Sequence, residues 1–156
     1  MESILGTSTV VQVAIICHDV EKTAQAYAEF FGVPTPPASW TDGYDKAQTT
    51  YRGEATPARA KLAFFKIGDS ISLELIQPDE QPSTWREHLD TKGEGLHHIA
   101  FTLKDMPEAA ARAEKLAALG MPTVQTGLYT GGAYTYVDAS ETLKLQLELL
   151  CSRPKD

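Results

Sequence analysis

Cysteine is scarce in this chain, long apolar runs are missing, and no block of like charge occurs; each absence closes off a class of protein. Only Cys17 and Cys151 are present, near opposite ends of 156 residues. A disulfide framework needs more cysteines than that, so we expect two buried thiols in a reducing compartment. No apolar stretch approaches the roughly 20 residues that cross a bilayer. The opening MESILGTSTVVQ has neither the basic start nor the apolar core of a secretory signal. The expectation is a cytoplasmic protein with no membrane partner. Lys and Arg number 14 against 21 Asp and Glu, a formal net charge of -7. Nucleic acid calls for a basic face that releases counterions, so no nucleic-acid partner is expected. A small anionic ligand stays open, because a few local bases suffice to hold one. Low-complexity sequence is absent too, and a 42% hydrophobic composition supports one compact unit or two fused halves.

What the chain does contain is a repeat of itself. Residues 11–24, VQVAIICHDVEKTA, and residues 97–110, HHIAFTLKDMPEAA, are both an apolar strand leading into an Asp and then an Ala-rich helix. Asp19 and Asp105 occupy the N-cap position, with Glu21 and Glu108 in the first turn. The first helix carries Val20, Ala24, Tyr27 and Phe31 at helical spacing up to Gly32; the second carries Met106, Ala110, Ala113 and Ala117 up to Gly120. Each half then closes on a strand containing Leu-Glu-Leu, SISLELIQP at 70–78 and KLQLELLCS at 144–152. Further strands are expected near 47–52 and 61–67 in the first half, and near 122–126 and 133–137 in the second. The segment 33–45, rich in Pro, Gly and Asp, reads as a loop. The chain is thus expected to be one domain, residues 1–156, made of a module 8–78 and a module 96–152. Linker 79–95 joins them and includes a short helix at Ser83–Leu89.

Strand parity sorts the side chains into two faces. Val11, Val13, Ile15, Leu73, Leu75, Ile99, Phe101, Leu147 and Leu149 form the apolar face that must lie under the helices. The other face carries Gln12, Glu74, His98 and Glu148. Gln12 and His98 each stand seven positions before their capping Asp, and Glu74 and Glu148 each sit inside a Leu-Glu-Leu. One Glu or Gln on the polar face of a strand is ordinarily just solvated. Four donors at repeat-equivalent positions, one of them His, point instead to one divalent ion. Two carboxylates, an amide and an imidazole suit Mg, Mn, Co, Ni or six-coordinate Zn better than a thiophilic ion. His97, on the opposite face, reads as a core or supporting residue.

Those same stretches, VVQVAIICHDVEKT, SISLELIQP, GEGLHHIAFTLKDM and LKLQLELL, resemble the vicinal oxygen chelate superfamily of glyoxalases, bleomycin resistance proteins and dioxygenases. The resemblance implies an α+β fold of paired βαβββ modules cupped around a divalent metal. KGEGLHHIAF followed by DM looks most like methylmalonyl-CoA epimerase, whereas the ligand set Gln12, Glu74, His98, Glu148 resembles that of some glyoxalases I. What the resemblance implies is a metal-dependent epimerase or isomerase that removes a proton alpha to a carbonyl through a metal-bound enolate. Its substrate would be a small molecule, an acyl-CoA thioester or a 2-oxo carbonyl compound. Glu148 would be the base and Glu54, in YRGEATPARA, the acid–base group on the other face. Superfamily members commonly form homodimers, and that is the expectation here. The alternatives are a glyoxalase I-like lactoylglutathione lyase, with no evident match for the glutathione-contacting Arg, and a non-catalytic binding protein of the resistance type. An iron dioxygenase is disfavoured because Gln12 stands where its second His would be.

Overall fold

The computed structural model describes residues 1–153. In chain order its elements are β1 (Gln12–Ile16), α1 (Val20–Phe31), β2 (Ser39–Trp40), α2 (Tyr44–Ala47), β3 (Thr50–Tyr51), β4 (Glu54–Ala55), β5 (Ala60–Ile67) and β6 (Ile71–Pro78). There follow α3 (Thr84–Lys92), β7 (Gly95–Asp105), α4 (Met106–Ala118), β8 (Thr123–Tyr129), β9 (Gly132–Asp138) and β10 (Gln146–Ser152). The expected caps hold. Asp19 is extended and its side chain accepts from the Lys22 amide; Asp105 does the same for Glu108. Such a cap is worth about 1 kcal/mol to its helix. Gly32, at φ 68, takes the left-handed turn that ends α1, a conformation a side chain would resist.

All ten strands join one mixed sheet in the order β2-β5-β6-β1-β7-β10-β9-β8-β3-β4. The sheet curls, with α1 and α4 on its outer face, as the α+β expectation required. Its symmetry lies in the register. β1 runs parallel to β6 with Ala14 beside Glu74, and β7 runs parallel to β10 with Ala100 beside Glu148. β1 and β7 pair antiparallel and join the halves.

Three buried clusters follow from strand parity. On the outer face, Val20 and Ala24 of α1 pack on Leu73 and Leu75, and Ala109, Ala113 and Leu116 of α4 pack on Phe101, Leu147 and Leu149. On the inner face, α3 lays Trp85 and Leu89 against Ala14, Ile16, Ile76 and Tyr136. The linker helix therefore covers part of the concave side and leaves the rest as a cleft. Cys17 and Cys151 are both free and buried. No helix among the described residues is long and apolar enough to cross a membrane.

Three stretches differ from expectation. The loop 33–45 contains β2, which takes the open edge of β5. The strand expected near 47–52 shrinks to β3 and pairs with β8 of the other half, where Thr50 Oγ1 meets Thr126 Oγ1 at 2.6 Å. With β2 on β5, the edge left to β3 is that of β8. The last strand starts at Gln146 and not near 144, because Lys144 stands at φ 71, outside strand geometry.

Ala14 and Ala100 are fully buried beside the two carboxylates, and their small size leaves the inner face room for longer neighbours. Ala100→Leu should overfill that space and lower stability by about 1–3 kcal/mol. Urea unfolding checks it; an unchanged midpoint would contradict the close packing described.

Candidate metal centre

Four neighbouring strands, β6, β1, β7 and β10, each turn one polar side chain into the concave face: Glu74, Gln12, His98 and Glu148. Glu74, His98 and Glu148 are buried, His98 completely. His98 Nε2 lies 3.0 Å from Glu148 Oε2 and 3.5 Å from Glu74 Oε2. Gln12 Oε1 lies 3.1 Å from His98 Nε2. The same end of the Gln12 amide is 3.0 Å from Glu74 Oε2 and 2.9 Å from Glu148 Oε2. Among the described residues, Glu74, His98 and Glu148 form the one His/Cys/Asp/Glu cluster that could hold a metal ion.

These separations carry chemical information. Donors about 2.1 Å from an octahedral ion stand roughly 3.0 Å from their neighbours on the coordination shell. The short contacts here, 2.9–3.5 Å, match that spacing. With the Gln12 oxygen inward, two carboxylates and an amide oxygen face one another, an arrangement a cation satisfies. With the amide turned over, its NH₂ could bond both carboxylates and His98. The donor set thus fits a divalent ion.

Burial, and next the charge of Glu148, push the Glu74 carboxyl well above its usual range. A cation held between the carboxylates would oppose that shift, because it favours the charged form of Glu74. Behind the cluster, His98 Nδ1 is 2.8 Å from His97 Nδ1, and His97 Nε2 is 3.3 Å from Thr84 Oγ1. Burial, then the neighbouring His98 and His88, hold the His97 imidazole well below its usual range, so it is neutral. One proton shared between the two Nδ1 atoms sets the tautomers. If His98 donates it, His98 Nε2 keeps a bare lone pair toward the carboxylates, and His97 donates onward to Thr84.

Gln12, Glu74 and Glu148 line a cleft of about 480 Å³, within the usual range for a small-molecule site, with His98 buried behind them. Trp40, Phe64, Trp85, Tyr129, Tyr134 and Tyr136 supply aromatic wall, and no Lys or Arg is among the described lining residues. The segment that crosses from β2 to β3 contributes Thr41, Asp42 and Thr49. Three bases near this segment in sequence have partners of their own: Arg52 pairs with Glu87, Arg59 lies over the Trp40 ring, and Lys61 pairs with Glu21.

The structure thus brings Gln12, Glu74, His98 and Glu148 together. Glu54 stands apart: it is exposed on β4, at the sheet edge, and is not among the cleft-lining residues. His97, read from sequence as a core or supporting residue, contacts His98 directly. Sequence reading missed Tyr134 and Tyr136. Their spacing of two on β9 was visible, but their place opposite Glu148 depends on the β9–β10 register, which sets Tyr136 beside Glu148.

The profile of the Glyoxalase/Bleomycin resistance protein/Dioxygenase superfamily matches residues 11–137. An uncharacterized protein of Bacillus subtilis is 44% identical over 50 residues, 32% of this chain, and the match spans about a third, 35%, of that relative. Among solved structures, a Streptomyces coelicolor methylmalonyl-CoA epimerase variant in complex with 2-nitronate-propionyl-CoA is similar at TM-score 0.60 and 22% identity, over 93% of this chain and 97% of that one. Methylmalonyl-CoA epimerase from Mycobacterium tuberculosis is similar at TM-score 0.62 and 19% identity, over 93% and 88%. A hypothetical protein of Bacillus halodurans reaches TM-score 0.61 at 16% identity, over 95% and 96%. At these identities the likeness is one of fold.

His98→Ala should abolish stoichiometric divalent-metal binding. His97→Ala should keep the stoichiometry but weaken affinity by about 10–100-fold, the usual cost of losing a residue that orients a ligand. Calorimetric titration with Mn²⁺ or Co²⁺ decides; full-affinity binding by both variants would overturn the ligand assignment.

Proposed function

The chain belongs to the glyoxalase/bleomycin resistance protein/dioxygenase superfamily, and on that premise we propose that it is a divalent-metal-dependent isomerase or epimerase. It removes a proton alpha to a carbonyl from a small substrate. One observation carries the reading: four donors, Gln12, Glu74, His98 and Glu148, face one another, and three of them, Gln12, Glu74 and Glu148, line a ligand-sized cleft. A divalent ion held there supplies Lewis-acid stabilisation of negative charge on adjacent carbonyl oxygens. Four protein donors would leave two positions of a six-coordinate shell for them.

The chain's own residues supply the rest. Glu148 has a carboxylate at the cleft wall, facing the place where the substrate's acidic carbon would sit, and takes the proton. Gln12 and His98 are neutral donors, so the two Glu side chains balance the ion's charge. The aromatic wall excludes water and packs the apolar part of the substrate. Acyl-CoA thioesters are one substrate class, by analogy with the epimerases of similar fold; thiol adducts of 2-oxo aldehydes are the other. The second is favoured by one specific observation. Epimerisation needs an acid–base group on each face of a planar intermediate, and Glu54 is exposed outside the cleft. A one-base isomerisation of the glyoxalase I kind needs Glu148 alone.

Proton–deuterium exchange followed by NMR on both substrate classes tests this. Metal-loaded protein should exchange the alpha proton of at least one class, and chelation of the metal should stop it. Glu148→Gln should slow exchange by roughly 10²–10⁴-fold, while Glu54→Gln should leave a one-base reaction at its full rate. A wild-type protein that exchanges no proton in any of these substrates is a binding protein and not an isomerase.

A further inference from the structure

Tyr134 and Tyr136 line the metal cleft side by side on β9, with ring centroids 5.1 Å apart. Each phenol oxygen is held from behind by a group that can only donate. Trp85 Nε1 donates to Tyr136 at 3.1 Å; an indole N–H has no other role. Gln125 Nε2 donates to Tyr134 at 3.1 Å. The orientation of that amide is fixed, because Gln125 Oε1 already accepts from the Thr84 backbone N–H at 2.8 Å. Both tyrosine oxygens are therefore used as acceptors, and each hydroxyl proton must be given elsewhere. Among the described residues the Tyr136 proton has no protein acceptor within hydrogen-bond distance, whereas Tyr134 has the Thr49 hydroxyl as a further partner beside the cleft. Tyr136 is the cross-strand partner of Glu148, and both phenols line the same cleft as Glu74 and Glu148.

The chain also makes room for this arrangement at a cost. A Cβ at position 127 would come within 2.5 Å of the Tyr134 ring, so Gly127 on β8 is what lets that ring lie flat against the strand. Tyr136 is fully buried, with its ring 5.0 Å from that of His98. A buried hydroxyl whose proton has no partner is unfavourable unless something in the cleft accepts it.

We propose that Tyr134 and Tyr136 form a two-hydroxyl donor site for an oxygen of the bound ligand, aimed by Gln125 and Trp85. The inference rests on the metal-chelate reading above. It adds the class of ligand: a chelator with two adjacent oxygens, at least one of which carries negative or strongly polarised charge toward β9. In a cleft whose described lining has no Lys or Arg, these neutral donors take the part a cation would otherwise play. Their charge-free character favours a chelating head of low net charge over a free carboxylate.

Acetohydroxamate, a small chelator with two adjacent oxygens, is the probe. Zn²⁺-loaded wild type should bind it in calorimetric titration. Tyr134→Phe and Tyr136→Phe should keep one Zn²⁺ per chain at wild-type affinity but bind acetohydroxamate roughly tenfold more weakly each, the loss of one hydrogen bond to a polarised oxygen. Tyr136→Phe leaves the Trp85 N–H without an acceptor and could fail to fold. Wild type labelled with 3-fluorotyrosine then carries the test, since acetohydroxamate should shift the fluorine resonance that Tyr134→Phe removes. Undiminished hydroxamate affinity in a folded, zinc-loaded variant, or no shift of that resonance, overturns the inference alone. A wild type that binds neither Zn²⁺ nor acetohydroxamate overturns the metal reading and this one with it.

Discussion

Two carboxylates, buried and pointed at the same few cubic ångströms, are the constraint on which the rest of the structure turns. Taking a carboxylate out of water costs several kcal/mol unless an opposite charge or good donors meet it. Glu74 and Glu148 have no Lys or Arg beside them among the described residues; their neighbours are the His98 imidazole and the Gln12 amide. Such a cluster is unfavourable as a packing solution and favourable as a cation site. The fold is arranged to hold it: four adjacent strands present one donor each, and Ala14 and Ala100 keep the floor between them low.

The first turn of α3 ties this site to its surroundings. Ser83 caps the helix by accepting from Arg86 N. The Thr84 backbone N–H, free in a first helical turn, fixes Gln125, while the Thr84 hydroxyl meets His97 behind His98. Trp85 packs in the inner cluster and reaches Tyr136. A linker between the two halves thus sets the orientation of three groups on the second half.

Most of the site was legible in the sequence because it rests on two local rules. Period-two alternation put Gln12, Glu74, His98 and Glu148 on the face away from α1 and α4, and the repeat set them at matching positions. The capping Asp19 and Asp105 and the paired Leu-Glu-Leu fixed the frame of that comparison. What was not legible depends on which strand edge is open. The pairing of Thr50 and Tyr51 with β8 is decided by β2 having taken the edge of β5, and no residue in 47–52 encodes that. The same long-range register places Tyr136 beside Glu148 and carries Glu54 out to an exposed edge.

The most direct measurement is an anomalous difference map from crystals grown with Mn²⁺. The account predicts one peak per chain, about 2.1–2.4 Å from Gln12 Oε1, Glu74, His98 Nε2 and Glu148. No peak among these four side chains, with the Gln12 amide nitrogen turned toward the two carboxylates, would contradict it.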